Sequence, residues 1–266
     1  MLSSPNFAVP PMNLVSEPLP SAQPGRYRKP PVVEMIFSIR TAMPKPLDPA
    51  VFLEAVPNAF PDVFSEHKAM HTFQSQVMMK TDGTADHDTK SQLAGYRFIA
   101  PDSSFMAHYL VNCLTLNFLP PYSGYAPSLA VFKGHWALYK RLTGSAPVAG
   151  LVLRYIDRID IPRDGAAIPL SDYFTIAPPT LGLKAHNCYL QYHLNDDAQD
   201  IRARVIWSSL EDKPGHWSFA LDTEATLDTA SVLDDDGVWT EFGRLHDWCT
   251  HVFNESLTEK CKQLFQ

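Results

Sequence analysis

The stretch Gly150-Leu-Val-Leu-Arg-Tyr-Ile-Asp-Arg-Ile-Asp-Ile-Pro162 decides how the rest of the chain is read. Successive side chains of a strand point to opposite faces. Leu151, Leu153, Tyr155, Asp157 and Ile159 therefore fall on one side, and Val152, Arg154, Ile156, Arg158 and Asp160 on the other. A mostly apolar side backed by a charged one predicts a long strand in a sheet that helices cover on one face, the other face being open to water or to a partner. The segment Lys29–Thr41 has the same design: Val33, Met35, Phe37 and Ile39 alternate with Glu34, Ile36, Ser38 and Arg40.

Outward from these two strands, the chain offers further elements. Asp48 and Pro49 suit the start of a helix over 47–60, with Phe52, Val56 and Phe60 as its inner stripe and Pro57 and Pro61 limiting it. Strands are predicted at 73–80, 95–100, 105–110 and 113–118, and the polar run between the first two (81–92) reads as a connection. Leu129, Phe132, Trp136 and Tyr139 recur at helical spacing and predict a helix over 127–143, ended by Gly144. The pattern then restarts: the central strand, a short helical piece at Leu170–Phe174, strands at 186–194, 201–208 and 216–221, and a last helix. Asp235 or Asp236 would cap that helix, and Trp239, Phe242, Leu245, Cys249, Val252, Ser256 and Leu264 form its stripe.

Set side by side, the halves predict an α+β protein with a pseudo-duplicated build: curved antiparallel sheets, separate or continuous, each packing a long helix, similar to the helix-grip and TATA-binding-protein-like folds. A single helix-grip domain enclosing a cavity is the alternative. The divisions expected are a flexible Pro-rich leader (1–29), a first α+β half (30–145) and a second (146–266), packed as one unit.

With 266 residues, 45% of them hydrophobic, the chain can bury a large core. A net charge of −7 disfavours capture of nucleic acid or an anionic membrane through bulk electrostatics. Cys113, Cys188, Cys249 and Cys261 lack CxxC spacing and read as reduced thiols, the last two on one helix. No apolar run is long enough to span a bilayer, and a cytoplasmic location is expected.

The segments PPVVEMIFSIR (30–40), YRFIAPD (96–102), LRYIDRIDIP (153–162), LSDYF (170–174) and FNESLTEKC (253–261) resemble those of a sporadically distributed family of uncharacterised bacterial proteins of about 260 residues. The Pro-Pro-x-Val-Glu first strand and the Arg-Tyr-Ile-Asp-Arg-Ile central strand carry the resemblance. It implies a bacterial soluble protein and supplies neither an activity nor a cofactor. Its patchy distribution points to mobile-element or defence loci and to a protein partner encoded nearby.

No phosphate loop, dinucleotide fingerprint, nucleophile elbow or HExxH motif occurs, so no catalytic residue, metal ligand or cofactor is assigned. His67 and His71 would share a helical face but lack a third ligand. Asp86, His87 and Asp88 read as a solvated loop, and Trp136 and Trp239 as core, with Trp248 off the main stripe.

The better candidate is the open sheet face. By alternation it would carry Glu34, Arg40, Arg97, Asn117, Arg154, Arg158, Asp160, Arg202 and Arg204. Cross-strand ion pairing accounts for such a surface. Recognition of a partner is the sharper reading, since the planar fork of arginine suits carboxylates and phosphates. The expected role is a non-enzymatic protein-interaction module. The alternatives are a small-ligand binder or enzyme using Tyr155, Asp157 or His193 in a pocket between helix and sheet, and nucleic-acid binding on the sheet face.

Overall fold

The computed structural model describes residues 27–42, 49–59, 64, 66–79, 81, 85–144, 147–163, 168–176, 187–228 and 233–266. They form a mixed α+β fold around one large antiparallel sheet. In chain order the elements are β1 (Val32–Thr41), α1 (Pro49–Asn58), β2 (Glu66–Met79), β3 (Ala85–Ile99), β4 (Phe105–Leu110), β5 (Cys113–Phe118), α2 (Tyr125–Thr143), β6 (Val148–Pro162), β7 (Tyr189–Asp196), β8 (Ile201–Ser209), β9 (His216–Asp228), α3 (Asp235–Ser256) and α4 (Glu259–Lys262).

All nine strands join in one sheet, ordered β2-β3-β4-β5-β1-β6-β9-β8-β7. The two strands recognised from their alternation therefore lie side by side at its middle, with Ser38 opposite Val152 and Ile36 opposite Arg154. The sheet is continuous through this pair, so the separate-sheet version of the expected build is corrected to a single sheet. The remaining pairs are antiparallel too.

The helices and the core lie on one face. Phe37 of β1 is fully buried; its ring stacks on Phe132 of α2 at 5.1 Å and meets Phe242 of α3 edge-on at 5.4 Å. One side chain thus ties the central strand to both long helices. Phe52 of α1 packs on Tyr139 at 5.8 Å. A second apolar cluster lies at the other end of β6, where Ile159, Phe174, Trp207, Phe219, Leu257 and Phe265 are buried together. Tyr27 packs on Phe253 and Phe265 and donates its hydroxyl hydrogen to Asn254 Oδ1 at 3.1 Å, so the end of the segment expected to be a free leader is anchored on the C-terminal helices. Residues 1–26, and Asp48 with its expected cap, lie outside the described residues.

Several element boundaries differ from expectation, each for a physical reason. Residues 85–92, expected to be part of a connection, belong to β3, and β2, expected from 73, begins at Glu66. The mixed polar sequence of 85–92 carries no alternation because neither face of this stretch is buried. His67 and His71 accordingly sit in a strand, not on a helix, and the Nδ1 of His71 lies 3.2 Å from Ser91 Oγ. Asp86, His87 and Asp88 likewise belong to β3. β9 runs to Asp228, seven residues past its expected end.

The last helix is capped by Asp234, whose Oδ1 accepts from Gly237 N at 2.8 Å, and stops at Ser256. Leu257 turns extended and enters the second core cluster, and Thr258 caps the separate α4. Cys249 and Cys261 are therefore on different helices, and all four thiols are free. Trp248 is buried at 8% exposure, with Nε1 donating to Asp196 Oδ2 at 3.2 Å.

Candidate functional site

Alternation along β6 holds over its full length: Leu151, Leu153, Tyr155, Asp157, Ile159 and Ile161 are buried, while Val152, Arg154, Ile156, Arg158 and Asp160 are half-buried on the opposite face. No described helix packs on that outer face. The strand registers bring together there the residues anticipated from the sequence.

On β6, β8 and β9 the outer charges neutralise one another. Arg154 donates from Nε and Nη2 to the two oxygens of Asp222 at 2.7 and 2.6 Å, and lies 4.0 Å from Glu224. Arg204 donates to Glu224 Oε2 at 3.0 Å. Asp228 is shared by Arg40 of β1 and Arg202 of β8. To reach Asp228, Arg40 crosses β6 at Gly150, where a Cβ would lie 2.5 Å from its Nη2, so a side chain there would displace the guanidinium. Arg158 donates to Asp160 Oδ1 and to Ser218 Oγ, both at 2.9 Å, and Ser218 donates to Asp160 at 2.7 Å. Burial acts to raise the Asp160 carboxyl, but these hydrogen bonds outweigh it and hold the group below the usual carboxylate range. The hydrogen bonds it donates to Asp222 push the pKa of the Arg154 guanidinium up, against its partial burial.

Across β3, β4, β5 and β1 the outer face is different. Arg97, His108, Thr115 and Ser38 form one cross-strand row by register. Ser38 Oγ is 2.8 Å from Thr115 Oγ1, and Asn117 donates to Glu34 Oε1 at 2.6 Å. Arg97 Nε, His108 Nε2 and Asn117 Oδ1, however, are buried with no partner among the described residues. Burial and then the neighbouring Arg97 charge lower the affinity of His108 for a proton, so its imidazole is neutral at pH 7. The half-buried Ile36 and Met106 lie beside this row.

On the helix side, Tyr155 and Asp157 point toward α3 as expected, whereas His193 sits exposed on the edge strand β7, 2.6 Å from Gln191. The Tyr155 hydroxyl is 2.8 Å from His246 Nδ1, and the His246 ring stacks on Tyr125 at 4.0 Å. Asp157 is 3% exposed. Burial, then the nearby Asp222, pushes its pKa up to about 8. Thr223 Oγ1 and the Tyr125 hydroxyl are buried without a partner among the described residues. Burial raises the Cys249 thiol far above its ordinary value, which leaves it protonated and a poor nucleophile.

Sequence reasoning missed the carboxylates that the arginines select. Their signal was present: from Leu221 to Asp228, Asp222, Glu224, Thr226 and Asp228 alternate with Leu221, Thr223, Ala225 and Leu227. It also missed the exposed apolar side chains of β2, Phe73, Val77, Met78 and Met79.

Among the described residues there is no cluster of three metal-binding side chains, and no helix is long and apolar enough to cross a membrane. The sequence matches no family model, and no curated protein matches it.

Proposed function

We propose that this chain is a non-enzymatic protein-interaction module of a bacterial cytoplasmic system that docks a protein partner on the outer face of its sheet. The observation that carries this reading is the contrast between the two halves of that face. On β6, β8 and β9 the arginines are already matched by carboxylates. Across β3, β4 and β5, Arg97 Nε, His108 Nε2 and Asn117 Oδ1 are left without partners among the described residues, next to apolar side chains; in the other half Arg204 Nε is also without one, but its Nη2 is held by Glu224. Buried polar groups without partners cost about 1–3 kcal/mol each, a cost that a docked surface offering complementary groups removes. A mixture of apolar and arginine side chains with few unbalanced charges is also the composition of protein interfaces. The internal charge matching weakens the case for nucleic acid, which requires basic groups available to phosphates.

The pseudo-duplicated, TATA-binding-protein-like build belongs to the same proposal. It is supported by the strand order, in which β5-β4-β3 leads away from β1 as β9-β8-β7 leads away from β6, and by the long helices following β5 and β9. The test is affinity capture from the source cell with the wild-type chain and with folded Arg97→Glu and Ile36→Arg variants. A discrete protein held by the wild type and lost from both variants supports the reading. Capture of nothing, or turnover of a metabolite by the purified chain, overturns it.

A second reading is favoured by one observation. Between the sheet and α3, Thr223 Oγ1 and the Tyr125 hydroxyl are buried without a partner among the described residues and Asp157 is buried, so a small polar ligand would find both donors and acceptors there. Saturable binding of such a ligand that is abolished by Asp157→Ala would transfer the functional role from the outer face to this interior.

A further inference from the structure

The β2–β3 pair extends beyond the rest of the sheet. β3 pairs with β4 only from Gly95 to Ile99, whereas from Ala85 to Leu93 its pairing is with β2. This leaves a two-stranded ribbon, a structure only marginally stable by itself in water. It also exposes large apolar side chains: Phe73 at 72%, Val77 at 54% and Met79 at 74%, all on one face of β2 by alternation.

The two edges of this ribbon are not alike. Native sheets blunt their bare edges with charges and prolines, because an unpaired strand is a template for another strand. Over the ribbon, β3 carries Asp86, Asp88 and Lys90. From Ala69 to Met79, β2 carries no Asp, Glu, Lys, Arg or Pro. One edge is guarded in the usual way and the other is left open.

We propose that the open edge of β2 pairs antiparallel with β2 of a second copy of this chain, about a two-fold axis near Gln74. The sequence of the strand is complementary to itself in this register. Met70 lies opposite Met78, Ala69 opposite Met79, and Phe73 diagonal to the other copy's Phe73, within the reach of cross-strand side-chain contact. Between Ala69 and Met79 no charges meet. Two chains of net charge −7 repel over most of their surfaces, and this uncharged run is where that repulsion is least. The contact is isologous and closes as a dimer, leaving the charged edges of β3 outermost in a four-stranded ribbon. The inference does not depend on the outer-face docking reading, which concerns a different surface.

Sedimentation of the full chain from micromolar to submillimolar concentration tests it. A monomer–dimer equilibrium is expected, weakened at least about tenfold, or about 1.4 kcal/mol, by Phe73→Lys or Val77→Lys. Both side chains are exposed, so circular dichroism should report an unchanged fold. A cysteine scan along β2 gives a second readout: Gln74→Cys should form the self-disulfide fastest, with rates falling toward positions 70 and 78. A monomer across the whole range, a dimer indifferent to both lysine variants, or a crosslinking maximum away from residue 74 would overturn the proposal.

Discussion

Arg154 of β6 holds Asp222 of β9 through both arms of its guanidinium, at 2.7 and 2.6 Å. Ile156, the neighbour two residues on, stands directly opposite Asp222, so the bidentate contact runs diagonally between the strands. The side chain of Asp222 is only 10% exposed and that of Arg154 27% exposed, which makes this pair more than a surface ion pair.

Arg154→Ala should therefore destabilise the protein by about 2–4 kcal/mol, because it strands a desolvated carboxylate. The double replacement Arg154→Met with Asp222→Leu should cost much less than the single change. Urea unfolding of the three variants checks this. Equal losses in the single and double variants would show that packing, not the uncompensated charge, dominates.

Gly150 predicts a non-additive pair. A methyl group there meets the Arg40 guanidinium, a flexible group 45% exposed in its ion pair with Asp228. Gly150→Ala should thus cost no more than about 1 kcal/mol, roughly what the displaced exposed pair contributes. In an Arg40→Ala background the same change should be neutral or stabilising, since glycine is unfavourable within a strand. A full, additive loss in that background would place the steric conflict in the backbone instead.

Two buried groups set opposite pH dependences. Asp157 stays protonated in the folded chain up to about pH 8, raised first by burial and then by Asp222, whereas an aspartate in the unfolded chain ionises near pH 4. Between these values the unfolded state holds fewer protons, so stability falls as pH rises through the window and levels off above it. His135 is pushed down to about 4 by burial, and its Nδ1 lies 2.8 Å from the Tyr109 hydroxyl. The unfolded histidine takes a proton below about pH 6.5, so stability is lost as pH falls from there toward 4. Asp157→Asn should raise stability at pH 8 by about 2 kcal/mol or more, have little effect near pH 4, and leave the acid-side loss of His135 uncovered. Thermal unfolding across pH 4–9 measures both slopes; a constant offset for Asp157→Asn would contradict the assignment.

Phe37 joins β1 to α2 and α3 through aromatic contacts with Phe132 and Phe242. Phe37→Ala should cost about 3–5 kcal/mol, more than truncating Phe253 near the second core cluster, which is only partly buried. Chemical denaturation of the two alanine variants ranks them. The reverse order would place the main core at the other end of β6.

The central strands were legible because each has one face buried and one open, and burial imposes a period of two on which residues are apolar. The same rule placed Arg40, Arg154, Arg158, Arg202 and Arg204 on one surface, and the helical period of about 3.6 placed Leu129, Phe132 and Trp136 on one stripe. Alternation found β2 only from Phe73 and took the ribbon part of β3 for a connection, because a two-stranded element with neither face in the core has no reason to alternate. It also missed the break at Leu257, where a tertiary slot among Phe174, Trp207 and Phe219 favours extended backbone over continued helix.

The sequence by itself determined which side chains each strand turns inward, since alternation is a property of the local backbone. Only the tertiary structure decided that β1 and β6 meet, that Asp222, Glu224 and Asp228 neutralise the arginines while Arg97 Nε has no partner among the described residues, and that β2 is the edge of the described sheet. Those outcomes depend on strand register and order, which arise from contacts between residues far apart in the chain.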